Sequence, residues 1–286
     1  MGEATTPDQV NFFDINSTLP GASRSWSPNT LKTRLVLNFK NIPYTQSWIS
    51  YPDIAPVLLS LDVPPNSPKV SPFTHTLPAI RHSSLVSSLN QHGVIMDSFA
   101  IAEHLDRITP SPTLFPSGAA SYALAVAVDR LITHVIAPGL RVLVPPVAEF
   151  LDLKGREYFV RTRSVKFGTP LGEVRPADQE SVRMMVDAVK KEFATVVQML
   201  RGRREDESQS QSQSENRTGP FFEGPQPGYA DFIVVAFLGW CERVDREVWE
   251  ELLSVEEDGE VRALWDACLP WLDGQGEEME WDLCPS

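Results

Sequence analysis

Apolar residues fall into two regimes along this chain: short runs up to Pro116, and helix-spaced stripes after it. Val10 to Ile15 is a compact apolar run suited to a buried strand. A Gly/Ser/Pro-rich loop, Asn16 to Trp26, leads into Ser27-Pro28-Asn29-Thr30. Serine before proline predicts a helix start, with Ser27 as N-cap and Pro28 in the first turn, where a missing N–H costs nothing. That helix turns Leu31, Leu35 and Leu37 inward and Lys32 and Arg34 outward, and Asn41-Ile42-Pro43 ends it. Tyr44 to Ile49 alternates as a strand does. Six prolines between Tyr51 and Phe73 leave room for one short helix, Ile54 to Leu61, and a long surface loop. Thr76 to Ile80 and Val94 to Ser98 then read as strands around a polar turn, Ser83 to Gly93, the second feeding a helix from Phe99 to Ile108.

Strand, helix, strand, short helix, strand, strand, helix is the order of a thioredoxin-like α/β layer, a four-stranded mixed sheet covered by helices. After Phe115-Pro116-Ser117-Gly118 the period changes. Leu124, Val128, Leu131 and Val135 recur at helical spacing, and Pro138 bends or ends their helix. Val182, Met185, Val186, Val189, Phe193, Val196, Val197 and Leu200 form a wide stripe on a second long helix. Tyr229 to Cys241 is almost wholly apolar and predicts the central helix of a second domain, followed by helices around Trp249 and Trp265. The expected division is 1–116, α/β, and 117–286, all-α, with a low-complexity insertion at 202–219 whose Ser/Gln alternation has nothing to bury.

A length of 286 residues supports two ordinary domains, and 42% hydrophobic with 22% charged residues is normal for a globular chain. The net charge of −13 argues against a nucleic-acid partner, because phosphate binding needs a basic face. Cys241, Cys268 and Cys284 have no metal-ligand spacing and fit reduced thiols. His75, His82, His92, His104 and His134 likewise lack paired ligand spacing, so no metal is expected. No signal pattern opens the chain and no run approaches ~18 uninterrupted apolar residues. The expectation is a soluble, cytoplasmic protein with no membrane contact.

Three features carry candidate chemistry. A proline opening a strand, Leu77-Pro78, belongs at a sheet entry; with a cis bond before it, Leu77 would offer its N–H and C=O to a guest. Asp97-Ser98 stands where a helix N-terminus exposes unpaired N–H groups. Ser27 stands at another such terminus. Together they suit a small peptide: backbone pairing for its amide and oriented polar groups for its charged end. Several of these residues, and two histidines, also have a plain structural reading. Ser27 and Asp97 serve equally as helix caps, His75 as a surface loop residue, and His104 as a satisfied or exposed helix residue.

These motifs resemble the cytosolic glutathione transferases. Leu77-Pro78 looks like the cis-proline strand of that superfamily, Asp97-Ser98 like its pair for the γ-glutamyl end of glutathione, and Ser27-Pro28 like its serine-type catalytic position, with Arg34, Lys40 and Tyr44 at matching distances. Trp26-Ser27-Pro28-Asn29, Tyr51-Pro52-Asp53-Ile54 and Thr162-Arg163 ahead of Phe167-Gly168 are similar to fungal Fu A and etherase-like members. The chain departs from the family where a Ser/Thr cap usually opens the central helix. Gly228 stands three residues before Asp231, which costs about 0.5–1 kcal/mol against serine if nothing replaces it.

The resemblance implies a transferase that conjugates or thiolyses small apolar or aromatic electrophiles with glutathione, in a detoxification setting. Ser27 would stabilise the thiolate; Ser27, Asn29, His75, Thr76, Leu77, Pro78, Asp97 and Ser98 would hold glutathione. The electrophile pocket would lie between domains, with Trp26, Tyr122, Arg130, Leu131 and His134 as candidates. A homodimer is also implied. The alternative is a ligandin-like carrier of aromatic compounds with little turnover. A thiol-reducing enzyme is disfavoured, because Ser27 cannot form a mixed disulfide.

Overall fold

The computed structural model describes residues 9–68, 73–201, 219–255 and 259–281. Packing divides the chain into two units. Unit one comprises 1–112, 150–159 and 273–286, and unit two comprises 113–149 and 160–272. The first break thus falls four residues before the expected one. Two later segments, 150–159 and the tail, fold with the N-terminal layer instead of with the helical half. The low-complexity stretch at 202–218 and Pro72 lie outside the described residues, as does Cys284.

Unit one is built on strands β1 (Val10–Ile15), β2 (Tyr44–Ile49), β3 (Ala79–Arg81), β4 (Val94–Met96) and β5 (Glu277–Glu278). The sheet order is β4-β3-β1-β2-β5, so it has five strands where four were expected. The extra strand comes from the tail and runs parallel to β2, with Thr45 opposite Glu277. Two acidic residues at the end of the chain carry no strand periodicity; pairing to an existing edge supplies the order. Helices α1 (Pro28–Phe39), α2 (Ile54–Ser60) and α3 (Ser98–Ile108) complete the layer, and α1 packs on α3. β2 does not alternate: five of its six residues are buried, with Trp48 half-buried.

Lys32 and Arg34 do not face outward as their charge suggests. Arg34 is fully buried and Lys32 nearly so. For Arg34 the physical reason is the tail. Arg34 donates to the carbonyls of Gly274, Ala22 and Asp273, and Asn38 also donates to Gly274 O. A tail running this close to Tyr44 requires glycine at 276, where a Cβ would collide with the Tyr44 carbonyl. Lys40 is also enclosed: its Nζ meets Asp106 at 2.7 Å and the carbonyls of Thr109 and Pro112 at 2.6 and 2.7 Å. Arg34, Lys40 and Tyr44 therefore tie down the tail and the end of α3.

Unit two is helical. It contains α4 (Ala119–Ile136), α5 (Leu140–Leu143), most of α6 (Leu153–Phe167), α7 (Gln179–Arg201), α8 (Tyr229–Val244), α9 (Arg246–Leu253) and α10 (Glu260–Asp273). α4 ends before Pro138, as expected, in a turn at Ala137–Gly139. Ala119–Leu143 has the length and hydropathy of a membrane span, yet α4 turns Ala125, Val128, Ile132 and Val135 into a core against α7 and α8. α8 is the central helix, buried from Tyr229 through Cys241. Its missing cap side chain is replaced: the Tyr229 N–H donates to Leu114 O at 2.9 Å, and Asp231 accepts from the Gly228 and Phe222 N–H groups. Burial still pushes the Asp231 carboxyl up to about 7.

Candidate active site

The ladder pairings gather the candidate residues at one end of the sheet. β1 ends at Ile15, and the chain returns through a loop to open α1. β3 is antiparallel to β1, with Phe13 opposite Ala79, so β3 begins where β1 ends. β4 is antiparallel to β3, with Ala79 opposite Met96, so β4 ends at the same place. Leu77-Pro78, Asp97-Ser98 and the strand that feeds Ser27 therefore share one rim.

Ser27 is the N-cap of α1, in extended conformation, and is 5% exposed. Its side chain does not cap the helix. The Ser27 carbonyl accepts the Leu31 N–H and the Thr30 hydroxyl, while its own hydroxyl takes no partner among the described residues. The cap reading accounts for the backbone of Ser27 but not for its hydroxyl. Pro28 has no N–H, and the first-turn amides of Asn29 and Thr30 have no intrahelical acceptor, which gives this terminus local positive potential. Asn29 is exposed beside them.

The Leu77-Pro78 bond is cis. Leu77 N–H and C=O take no hydrogen-bond partner among the described residues. The Pro78 carbonyl accepts the Asp97 N–H at 3.3 Å. Asp97 is exposed with φ 91°, a conformation unusual for a residue with a side chain, and its Oδ1 accepts the N–H groups of Phe99 and Ala100. Here the capping role is realised. The second carboxylate oxygen and the half-buried Ser98 hydroxyl are not used by α3.

His75, a candidate, and His104 both face inward. His75 is buried, not a surface loop residue, and its ring nitrogens meet Val63 O at 3.0 Å and the Thr74 hydroxyl at 3.2 Å. It braces the loop that delivers Leu77. The Thr76 hydroxyl accepts from Asn66. His104 is buried between His82 and Arg107. Burial, His82 and Arg107 push its imidazole down to about 4. Arg107 can only donate, so His104 Nδ1 accepts and its Nε2–H faces His82 Nδ1.

The pocket candidates separate by unit. Trp26 belongs to unit one, buried against Tyr51 and Phe150, with Tyr51 stacked on Tyr158 at 6.1 Å. Tyr122, Arg130, Leu131 and His134 lie on α4 in unit two. Tyr122 and Arg130 are exposed, Leu131 is half-buried, and His134 faces Glu192 at 3.3 Å.

Sequence reasoning did not flag Asp14 and Ser25. Asp14 is fully buried in β1; Oδ1 accepts the Ile15 N–H at 2.6 Å, and Oδ2 accepts from the Ser25 hydroxyl at 2.5 Å and Gln46 Nε2 at 2.9 Å. Burial pushes this carboxyl upward, opposed by the bonds from Ser25 and Thr30 and the charge of Arg34. The available signal was a lone carboxylate inside an apolar strand run.

Comparisons with known proteins show the family. Family profiles described as glutathione S-transferase N-terminal and C-terminal domains match residues 26–108 and 123–271. The chain is 52% identical over 277 residues to the glutathione S-transferase-like protein ustS of Aspergillus flavus, covering 97% of this chain and 96% of that one. Among solved structures, it is similar to the glutathione S-transferase CsGST63524 of Ceriporiopsis subvermispora in complex with glutathione. That match has 28% identity and a TM-score of 0.74, and covers 92% of this chain and 98% of that one. It is also similar to glutathione transferase GSTFuA3 of Phanerochaete chrysosporium, at 26% identity and TM-score 0.75 over 93% and 98% of the two chains.

Proposed function

Because the chain belongs to the glutathione S-transferase family, a family of transferases, we propose that it uses glutathione as co-substrate against a small apolar or aromatic electrophile. The tripeptide lies along the rim of the sheet. Its cysteinyl backbone pairs with the N–H and C=O of Leu77, and its γ-glutamyl end meets Asp97 and Ser98. The sulfur rests beside Ser27.

The chemistry asked of the protein is modest. A free thiol titrates at about pH 8.5, and a helix N-terminus can lower this by one or more units. The Ser27 hydroxyl donates to the sulfur, and the first-turn amides of α1 add positive potential. Serine acts neither as nucleophile nor as base. The thiolate attacks an electrophilic carbon, forming a C–S bond as an ether, thio or halide group leaves with its electron pair.

One observation carries this reading: the Ser27 hydroxyl, at a helix-opening position on the same rim as Leu77-Pro78 and Asp97-Ser98, is not used by the helix it caps. The same reading includes the homodimer and cytoplasmic setting implied by the family. Calorimetry with glutathione, followed by mass analysis of a reaction with an activated aryl halide, tests it. Glutathione binding with appearance of the aryl thioether supports the proposal. Dye binding without any conjugate would replace it with a carrier function.

A further inference from the structure

Asp14 is a costly residue where it stands. It lies in the second-to-last position of β1, opposite Trp48 of β2 and fully buried. An ionisable group in a sheet interior adds little stability over an apolar one even when every oxygen is satisfied. Both of its oxygens are nevertheless engaged, by Ile15 and Gln46 within the sheet and by Ser25 on the path to Ser27. Its bond to Ser25, also fully buried, fixes the residue two positions before Ser27. The Thr30 hydroxyl, which donates to the Ser27 carbonyl at 3.2 Å, also lies beside the Asp14 carboxylate and lowers its pKa. Between Ser25 and Ser27, the Trp26 ring is held against Tyr51 and Phe150. The Ser27 hydroxyl has no partner of its own among the described residues, so the backbone fixes the Cα–Cβ bond from which it projects and a bound sulfur selects its rotamer.

We propose that Asp14 is a positioning residue for Ser27: through Ser25 and Thr30 it fixes the backbone that aims the Ser27 hydroxyl at a bound sulfur. The inference rests on the glutathione reading above and adds to it the group that orients the serine. Asp14 does not touch the thiol. Its charged and titratable neighbours are Arg34 from α1 and Tyr44 from β2; Ser25, Thr30 and Gln46 are neutral. Removing the carboxylate lets the 25–27 backbone relax, lengthening the hydroxyl–sulfur bond without removing any group that holds the rest of glutathione.

The test uses the full chain with Asp14→Ala, Asp14→Asn and Ser25→Ala. Three quantities are measured: glutathione affinity by calorimetry, the ultraviolet titration of the bound thiolate, and the pH profile of kcat/KM with an activated aryl halide. Ser25→Ala, which deletes one hydroxyl and leaves the carboxylate, carries the test where Asp14→Ala does not fold. The bound thiol is expected to titrate about half to one unit higher in Ser25→Ala. Its kcat at neutral pH is expected to fall roughly 3- to 10-fold, with glutathione affinity within about 2-fold of the parent. Asp14→Asn, which keeps an acceptor for the Ser25 hydroxyl, recovers part of what Asp14→Ala loses. Variants that are less stable to denaturant but titrate and turn over like the parent overturn the inference alone. A parent protein that does not bind glutathione overturns it together with the reading beneath it.

Discussion

The Asp97 N–H donates to the Pro78 carbonyl at 3.3 Å, so the entrance to β3 and the exit from β4 are joined at the rim where glutathione is proposed to lie. Asp97 holds two jobs at this junction. It caps α3, and it is the carboxylate proposed to meet the γ-glutamyl end.

Substitution can separate these jobs, because Asp97 has φ 91°, where glycine is at ease. Glycine is also a tolerable N-cap. Asp97→Gly is expected to stay within about 1 kcal/mol of the parent in denaturant unfolding, whereas Asp97→Ala, with neither cap nor conformational ease, loses about 1–2 kcal/mol. Both are expected to weaken glutathione binding by about 10-fold or more, since each removes the carboxylate. Calorimetry on Asp97→Gly with unchanged affinity would leave Asp97 as a cap only.

Ser27→Ala is expected to leave the fold intact, because the hydroxyl makes no hydrogen bond among the described residues. Steady-state kinetics with a model electrophile should show kcat/KM reduced roughly 10- to 100-fold, about 1.4–2.7 kcal/mol of lost transition-state stabilisation. Glutathione affinity should change little. Unchanged turnover removes Ser27 from the mechanism.

Arg34 tests the tail. Its guanidinium is fully buried on the carbonyls of Ala22, Asp273 and Gly274. Arg34→Ala takes the guanidinium from three carbonyls, of which Gly274 O keeps Asn38, and leaves a cavity; a stability loss of about 3 kcal/mol is expected by urea unfolding. Hydrogen exchange at Tyr44 to Ile49 should rise as the β5 pairing loosens. A loss below about 1 kcal/mol would mean that the tail is held by other contacts.

His104 gives the stability curve a defined slope. Its imidazole titrates near 4 in the folded chain against 6.5 ordinarily, so between these values the unfolded chain binds the extra proton. Stability therefore falls as pH drops from about 6.5 to about 4 and levels off below, by roughly 3 kcal/mol from this group. Unfolding midpoints of the parent and His104→Gln, compared across this window, should show the shallower slope in the variant. Equal slopes would assign the effect elsewhere.

The sequence made the architecture legible through its change of period near Pro116 and its helix-opening Ser27-Pro28. Leu77-Pro78 and Asp97-Ser98 could be found because each motif is local: proline at a strand entry, acid and hydroxyl at a helix mouth. What escaped was non-local. Arg34 reads as an outward charge because nothing in α1 announces a tail arriving about 240 residues later. β5 has no pattern of its own, and 150–159 joins unit one through rings such as Tyr51 and Tyr158 that are far apart in sequence. Asp14 was visible as a carboxylate in an apolar run, but its tie to the candidate site, chiefly the bond to Ser25, appears only in the folded chain.

The most direct measurement is a crystal structure of the chain soaked with glutathione. The account predicts the sulfur within hydrogen-bond reach of Ser27 Oγ, the cysteinyl amide paired with the Leu77 backbone, and the γ-glutamyl end on Asp97 and Ser98. Glutathione bound away from that rim, or with its sulfur turned from Ser27, would contradict it.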